Sequence, residues 1–125
     1  MMTPLRILMA EDKWLAAEVI EEGLVDAGFE VLPAQDGEAA MALFSAGAGF
    51  DVLLTNLRMP RLDGRELIAR LRASRPDLPV VVLTGFPPVG GTACLHDGSA
   101  PLELLTKPIE LGALISALRS VAGQT

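Results

Sequence analysis

Five short apolar runs, separated by longer stretches of helical period, constrain this chain more than any other feature. Leu5–Ala10 is the first run and stops at Glu11-Asp12. Glu30–Ala34, Val52–Thr55, Val80–Thr84 and Leu102–Thr106 follow. The third is apolar almost throughout, which suits a parallel strand covered on both faces. Between the runs lie stretches with one apolar stripe each. Trp14–Ala27 places Ile20 and Leu24 four apart and ends at Gly28. Glu38–Ala46 follows the turn pair Asp36-Gly37 and carries Ala40, Leu43 and Phe44 on one face. Arg65–Ser74 turns Leu67, Ile68 and Leu71 inward, and Leu111–Val121 does so with Leu114, Ile115 and Leu118. Strands alternating with helices predict right-handed β-α-β units. Five of them make an α/β fold, a doubly wound five-stranded parallel sheet in a three-layer sandwich. One helix breaks the pattern. Gly85–Pro101 contains Pro87, Pro88, Gly90, Gly91, Gly98 and Pro101. These are the poorest helix formers, so the fourth helix is expected to be short or irregular, one or two turns around Thr92–His96.

Composition narrows the function classes. The 125 residues suit one domain spanning 1–125, and 50% hydrophobic content can fill a core without metal or disulfide staples. Ten basic residues against sixteen acidic ones give a net charge of −6. That balance argues against a bulk grip on nucleic acid or an anionic membrane. The lone Cys94 and lone His96 exclude a disulfide framework and a Cys-cluster zinc site. Met1–Leu5 carries no signal-peptide pattern, and no apolar run approaches the roughly 20 residues of a membrane span. The expectation is a small, acidic, cytoplasmic domain with neither repeats nor a linker.

Ligands of open α/β sheets bind beyond the carboxyl ends of the strands. Glu11 and Asp12 follow the first strand, Asn56 the third, Thr84 ends the fourth, and Lys107-Pro108 ends the fifth. A single polar residue at a strand end is usually a cap or turn. A carboxylate pair, an amide, a hydroxyl and an amine at four ends together point to a functional site.

The same residues carry a family resemblance. Leu8-Met9-Ala10-Glu11-Asp12, Asp36-Gly37-Glu38-Ala39, Asp51–Pro60 with Leu62-Asp63-Gly64, Val82-Leu83-Thr84-Gly85 and Leu105-Thr106-Lys107-Pro108 occur in order. With them the chain resembles, over nearly its whole length, the receiver domain of bacterial two-component response regulators, of the chemotaxis-receiver kind. The resemblance implies the flavodoxin-like strand order 2-1-3-4-5. It also implies a Mg²⁺ site built from Glu11, Asp12, the residue at position 56 and the backbone carbonyl of Arg58, which suits a cation that takes oxygen ligands. Thr84 would hydrogen-bond a phosphoryl oxygen and Lys107 would balance its charge. The implied partner is a histidine kinase or histidine phosphotransfer domain, with no direct nucleic acid and no membrane contact; a weak homodimer stays open.

The major departure is Asn56, which stands where the family has its phosphoacceptor Asp. A neutral amide is a far poorer nucleophile than a carboxylate. The family's self-phosphorylation is therefore expected to be disabled, with no enzymatic activity, and Mg²⁺ binding weakened. Asn56 is an engineered block, a natural feature of a phosphorylation-independent interaction module, or a sign that chemistry moves elsewhere, for example to Asp63. Asp51 and Thr55 are poor substitutes, since Thr55 points to the opposite face of its strand. A small flavin protein or enzyme is disfavoured by the absence of Tyr and by a first loop without a phosphate-cradling Gly/Ser/Thr cluster.

Other departures concern the switch. Leu104 replaces the family's common aromatic three residues before the Lys, and Phe86 shares a candidate switch role with Thr84. Phe86 is expected to be ordinary core packing. The reduced fourth helix resembles that of receivers attached to hybrid histidine kinases, and the sequence, which ends at Thr125, is open to being a stand-alone regulator or part of a longer chain. Arg58, Arg61, Arg65, Arg70, Arg72 and Arg75 crowd one stretch with only Asp63 and Glu66 to offset them. The run is expected to be a solvated helix face. Trp14 is expected to pack partly in the core, with contact to the phosphotransfer partner as the alternative.

Overall fold

The structure is a computed structural model that describes residues 4–86 and 100–123. In chain order its elements are β1 (Arg6–Ala10), α1 (Trp14–Asp26), β2 (Glu30–Ala34), α2 (Gly37–Ser45), β3 (Val52–Asn56), α3 (Gly64–Ser74), β4 (Val80–Thr84), β5 (Leu102–Thr106) and α4 (Leu111–Val121). Every pairing is parallel and the sheet order is β2-β1-β3-β4-β5. The five expected strands and the four longer expected helices are present, with β3 running one residue further, to Asn56. The short helix expected around Thr92–His96, together with Cys94 and His96, lies outside the described residues.

Strand alternation explains the three layers. Successive side chains of a strand point to opposite faces. Leu8, Leu53, Val80 and Val82 join Ala40, Leu67, Ile68 and Leu71 of α2 and α3 in one core. Ile7, Met9, Val52, Leu54, Val81 and Leu83 join Leu24 of α1 and Leu114 and Leu118 of α4 in the other. β3 and β4 are buried at all five positions, as strands covered on both sides must be.

Two glycines fix the loops that carry the polar strand ends. A Cβ on Gly64 would overlap the backbone carbonyl oxygen of Asn56, and one on Gly37 would overlap that of Leu62. Gly64 also donates its N–H to Leu57 O at 2.8 Å, which folds the loop after β3 tightly back onto the strand end. The requirement at both positions is space. Gly64→Ala is therefore expected to lower stability by about 1–3 kcal/mol, the range for forced overpacking. Denaturant melts check this, and an unchanged midpoint would refute the steric reading.

Asp36 links α2 to the same loop. Its carboxylate caps α2 by accepting from Ala39 N–H at 2.8 Å and pairs with the Arg61 guanidinium. Arg61 also approaches Glu38 at 3.5 Å, and its backbone is left-handed, with φ of 68°. A non-glycine residue rarely adopts that conformation, which the loop closure and this ion pair hold in place. The Ala39 N–H first, and the Arg61 guanidinium second, hold the Asp36 carboxyl below its ordinary value of 3.8. A carboxyl depressed on folding stabilises above its unfolded value, and that contribution vanishes as pH falls through the folded value. Asp36→Asn should thus melt earlier than the parent at pH 7, and the gap should shrink as the pH is taken below that of the ordinary carboxyl. A gap independent of pH would show that the charge of Asp36 contributes nothing.

The arginine run is not uniformly the solvated face expected from its charge. Arg58, Arg61, Arg65 and Arg70 are exposed, but Arg72 is only 3% exposed. Its guanidinium donates to Leu78 O at 3.0 and 3.2 Å, to Pro101 O at 3.0 Å and to Ala100 O at 3.4 Å. Arg75 donates to Phe50 O at 2.7 Å and lies over the Phe50 ring. These two side chains serve as struts: Arg72 ties α3 to the segments before β4 and β5, and Arg75 ties the end of α3 to the segment before β3.

Candidate functional site

The carboxyl ends of β1, β3, β4 and β5 lie side by side, so the polar residues that follow them converge. Glu11 is anchored by its own N–H, which donates to Ala34 O of β2 at 3.0 Å. Asn56 ends β3 and is held by the Gly64 turn. Leu57 N–H donates to Leu83 O at 3.1 Å, and Lys107 N–H donates to Thr84 O at 2.8 Å. The ladder thereby extends one residue beyond the strands and sets the site on rigid backbone. The Lys107-Pro108 peptide bond is cis.

Glu11 is 3% exposed and Asn56 4%. The Asn56 Nδ2 donates to Glu11 Oε2 and, at 3.2 Å, to Asp12 Oδ1. Glu11 Oε2 also accepts from Lys13 N–H at 3.1 Å, and Lys107 Nζ reaches Glu11 Oε1 at 3.5 Å. One amide group thus bridges two carboxylates where a cation could do the same, and the ammonium balances part of their charge. The Asn56 Oδ1 is buried and has no hydrogen-bond partner. Among the described residues no group of three His, Cys, Asp or Glu could hold a metal ion. The oxygen set on offer comprises two carboxylates and an amide oxygen without a partner.

Glu11, Asp12, Asn56 and Lys107 are brought together as the sequence implied. Thr84 is placed at the adjoining strand end, 4% exposed, but its hydroxyl is engaged in its own turn. Oγ1 accepts from Phe86 N–H at 3.1 Å and lies 3.2 Å from Phe86 O, to which it donates. Phe86 itself is 68% exposed, which corrects the expectation of ordinary core packing. Its ring is covered by the Arg58 guanidinium, 5.1 Å from the centroid, so a cation–π contact replaces burial and joins the loops after β3 and β4. Leu104 is half-buried against the core shared with α2 and α3. Trp14 is 73% exposed, so the expectation of partial core packing fails too. It starts α1 exposed to solvent, whereas Leu24 of the same helix is buried in the core. Thr55 is buried and its hydroxyl donates to Asn56 O at 2.9 Å, consistent with its pointing away from the site. Sequence reasoning missed Arg61, Arg72 and the steric role of Gly64. The Leu62-Asp63-Gly64 fragment was the one visible signal for the last.

The family model of the response regulator receiver domain matches residues 7–119. This chain is a receiver domain. Response regulator MprA of Mycolicibacterium vanbaalenii is 34% identical over 122 residues, covering 98% of this chain and 52% of that protein. The chain therefore spans about half the length of the curated relatives it matches. Among solved structures, the response regulator receiver protein from Sinorhizobium medicae superposes with a TM-score of 0.85 at 27% identity, covering 96% of this chain and 95% of that one. The receiver domain of the hybrid histidine kinase CckA gives 0.78 at 29% identity, covering 94% and 98%. The receiver domain's fold and its place in two-component signalling follow from these matches. No helix among the described residues is long and apolar enough to cross a membrane.

Proposed function

We propose that this receiver domain is silent as a phosphoryl acceptor and acts by docking, with Asn56 standing at the phosphoacceptor position. One observation carries the reading. The Asn56 amide donates to both Glu11 and Asp12. It offers hydrogens where a phosphoacceptor would offer a carboxylate oxygen, and it has no lone pair nucleophilic enough to attack phosphorus. On this reading the domain catalyses no phosphoryl transfer to itself, and it works in the cytoplasm beside a kinase.

The residues fit Mg²⁺ in a weakened form. Glu11 and Asp12 carry the hard oxygen ligands such an ion takes, and the unpartnered Asn56 Oδ1 and the Arg58 carbonyl that the family resemblance implies would add to them. Bound there, the ion would neutralise charge on an incoming phosphoryl group. Asn56 makes the same carboxylates less available, because its Nδ2 already satisfies them. Asn56→Asp puts three carboxylates together, which repel in the absence of a cation. The parent should therefore melt higher than Asn56→Asp without metal, and Mg²⁺ should raise the midpoint of Asn56→Asp by several degrees more than that of the parent. Equal midpoints and equal metal shifts would sink this account of the site.

The docking partner on this reading is a histidine kinase or histidine phosphotransfer domain. Leu15 and Val19 of α1 are 60% and 64% exposed. With Ala16, Ile20, Pro108 and Ile109 they line a groove of about 470 Å³ that begins at Glu11 and Lys107. Its continuity with the carboxylate site suits a partner that must present a histidine to position 56 while covering α1. A phosphate-independent interaction module is the second reading, favoured by the same Asn56 bridge, since the site closes without cation or phosphoryl group. Thr84, Phe86 and Leu104 then lose their switch role and serve packing alone.

A further inference from the structure

A second groove runs along the other flank of α1, between α1 and α2 across the free edge of β2. It measures about 810 Å³ and is floored by Ala17, Pro33, Ala34, Ala39 and Leu43, with Trp14 at one end. Its ionisable lining is acidic throughout: Glu11, Asp12, Glu18 and Glu21. Trp14, Glu18 and Glu21 lie at i, i+4 and i+7, one stripe of the helix. Among the described residues, neither Glu18 nor Glu21 takes part in an ion pair. An indole left 73% exposed forgoes the burial that usually holds so large a side chain, and it is the residue type most enriched among binding hot spots.

We propose that this groove binds an amphipathic helix of a partner protein that presents Lys or Arg toward α1. The apolar floor accepts the helix's hydrophobic stripe, Glu18 and Glu21 pair with its cations, and the Trp14 face takes a cation by a cation–π contact. Charge complementarity selects the occupant. Six of the chain's ten basic residues lie within Arg58–Arg75, and none of the ten lines this groove. An acidic segment is repelled by the rim. A β-strand is disfavoured by the edge itself. Glu30 N–H donates to Leu5 O just before β1, so by alternation the nitrogen of Pro33 faces the free edge without a hydrogen to donate. The groove meets the Asn56 site only at Glu11 and Asp12. Among the described residues, Trp14, Glu18 and Glu21, which carry the proposal, make no hydrogen bond or ion pair with that site, so it stands whether or not that position accepts phosphate.

Trp14 is the only tryptophan, so its emission reports the groove directly. The chain is titrated with a leucine–lysine amphipathic peptide and with a leucine–glutamate peptide of the same length. The lysine peptide is expected to give a saturable blue shift that weakens with added salt, and the glutamate peptide none. The double charge reversal Glu18→Lys/Glu21→Lys, checked for an unchanged circular dichroism spectrum, should weaken binding by about tenfold or more. Should that variant misfold, the salt dependence and amide shift changes in the parent carry the test, with changes expected at Ala17, Glu21 and Ala39. The proposal is overturned if the lysine peptide gives no saturable shift, if both peptides bind alike, or if the shift changes centre on Leu15, Val19 and Ile109 across the helix.

Discussion

Incubated with acetyl phosphate and Mg²⁺, the Asn56→Asp variant is expected to gain one phosphoryl group by intact mass, and the parent chain none. The expected difference is all or nothing because it rests on the nucleophile. In the variant a carboxylate oxygen attacks phosphorus, an acyl phosphate bond forms and acetate leaves; in the parent the corresponding atom belongs to an amide. The residues proposed to assist it lie nearby. Glu11 and Asp12 adjoin position 56, Lys107 Nζ lies 3.5 Å from Glu11, and Thr84 ends the neighbouring strand. Removing one stabilising donor in that background, by Thr84→Ala, should slow phosphoryl gain by about a hundredfold. Thr84 must first leave its turn with Phe86 to contribute, so a Thr84→Ala variant that reacts as fast as its parent would show that the hydroxyl never does so. If Asn56→Asp gains nothing, the pocket is disabled beyond position 56, and the phosphate-independent module becomes the better account.

The largest expected loss of stability comes from Arg72, remote from the site. Arg72→Leu removes a buried guanidinium that serves the carbonyls of Leu78, Ala100 and Pro101. Leucine fits the apolar stem but leaves the Leu78 and Ala100 oxygens without that donor, while Pro101 O keeps its bond from Val80 N–H at 3.0 Å; each buried unsatisfied group costs about 1–3 kcal/mol. A net loss of about 3 kcal/mol, or roughly 10 °C in melting temperature for a domain of this size, is the expected outcome. Arg72→Lys should retain little of the difference, because one ammonium cannot span three carbonyls as the planar fork does. Paired thermal and denaturant melts of both variants decide it. A loss under about 1 kcal/mol for Arg72→Leu would mean that the strut is incidental.

Why an arginine is needed there is visible only in three dimensions. The segment before β5 returns to the sheet at Ala100 and Pro101 and brings its carbonyls beneath α3. In the sequence Arg72 is one of six arginines in a charged stretch, and charge alone predicts a solvated side chain. Its burial follows from facing those carbonyls across 28 and 29 residues of chain. Arg61 is similar. Its left-handed backbone and its pairing with Asp36, 25 residues away, arise where the loop after β3 meets the start of α2.

What the sequence determined by itself was everything written in local period and order. The apolar runs and helical stripes specified five strands and the described helices to within a residue, because burial on one or two faces is a repeating local demand. The motif order placed Glu11, Asp12, Asn56, Thr84 and Lys107 at strand ends, and a parallel sheet necessarily brings such ends to one side. Tertiary structure alone decided the rest. It turned Trp14 to the solvent and stacked Phe86 under Arg58, although both residue types favour burial. It also directed the Asn56 amide hydrogens at two carboxylates and left the Asn56 Oδ1 without a partner. The physical reason is common to all of these. Periodicity records how a residue relates to its own element, whereas exposure, pairing and the direction of a hydrogen bond depend on groups that the chain brings near only once the sheet has closed.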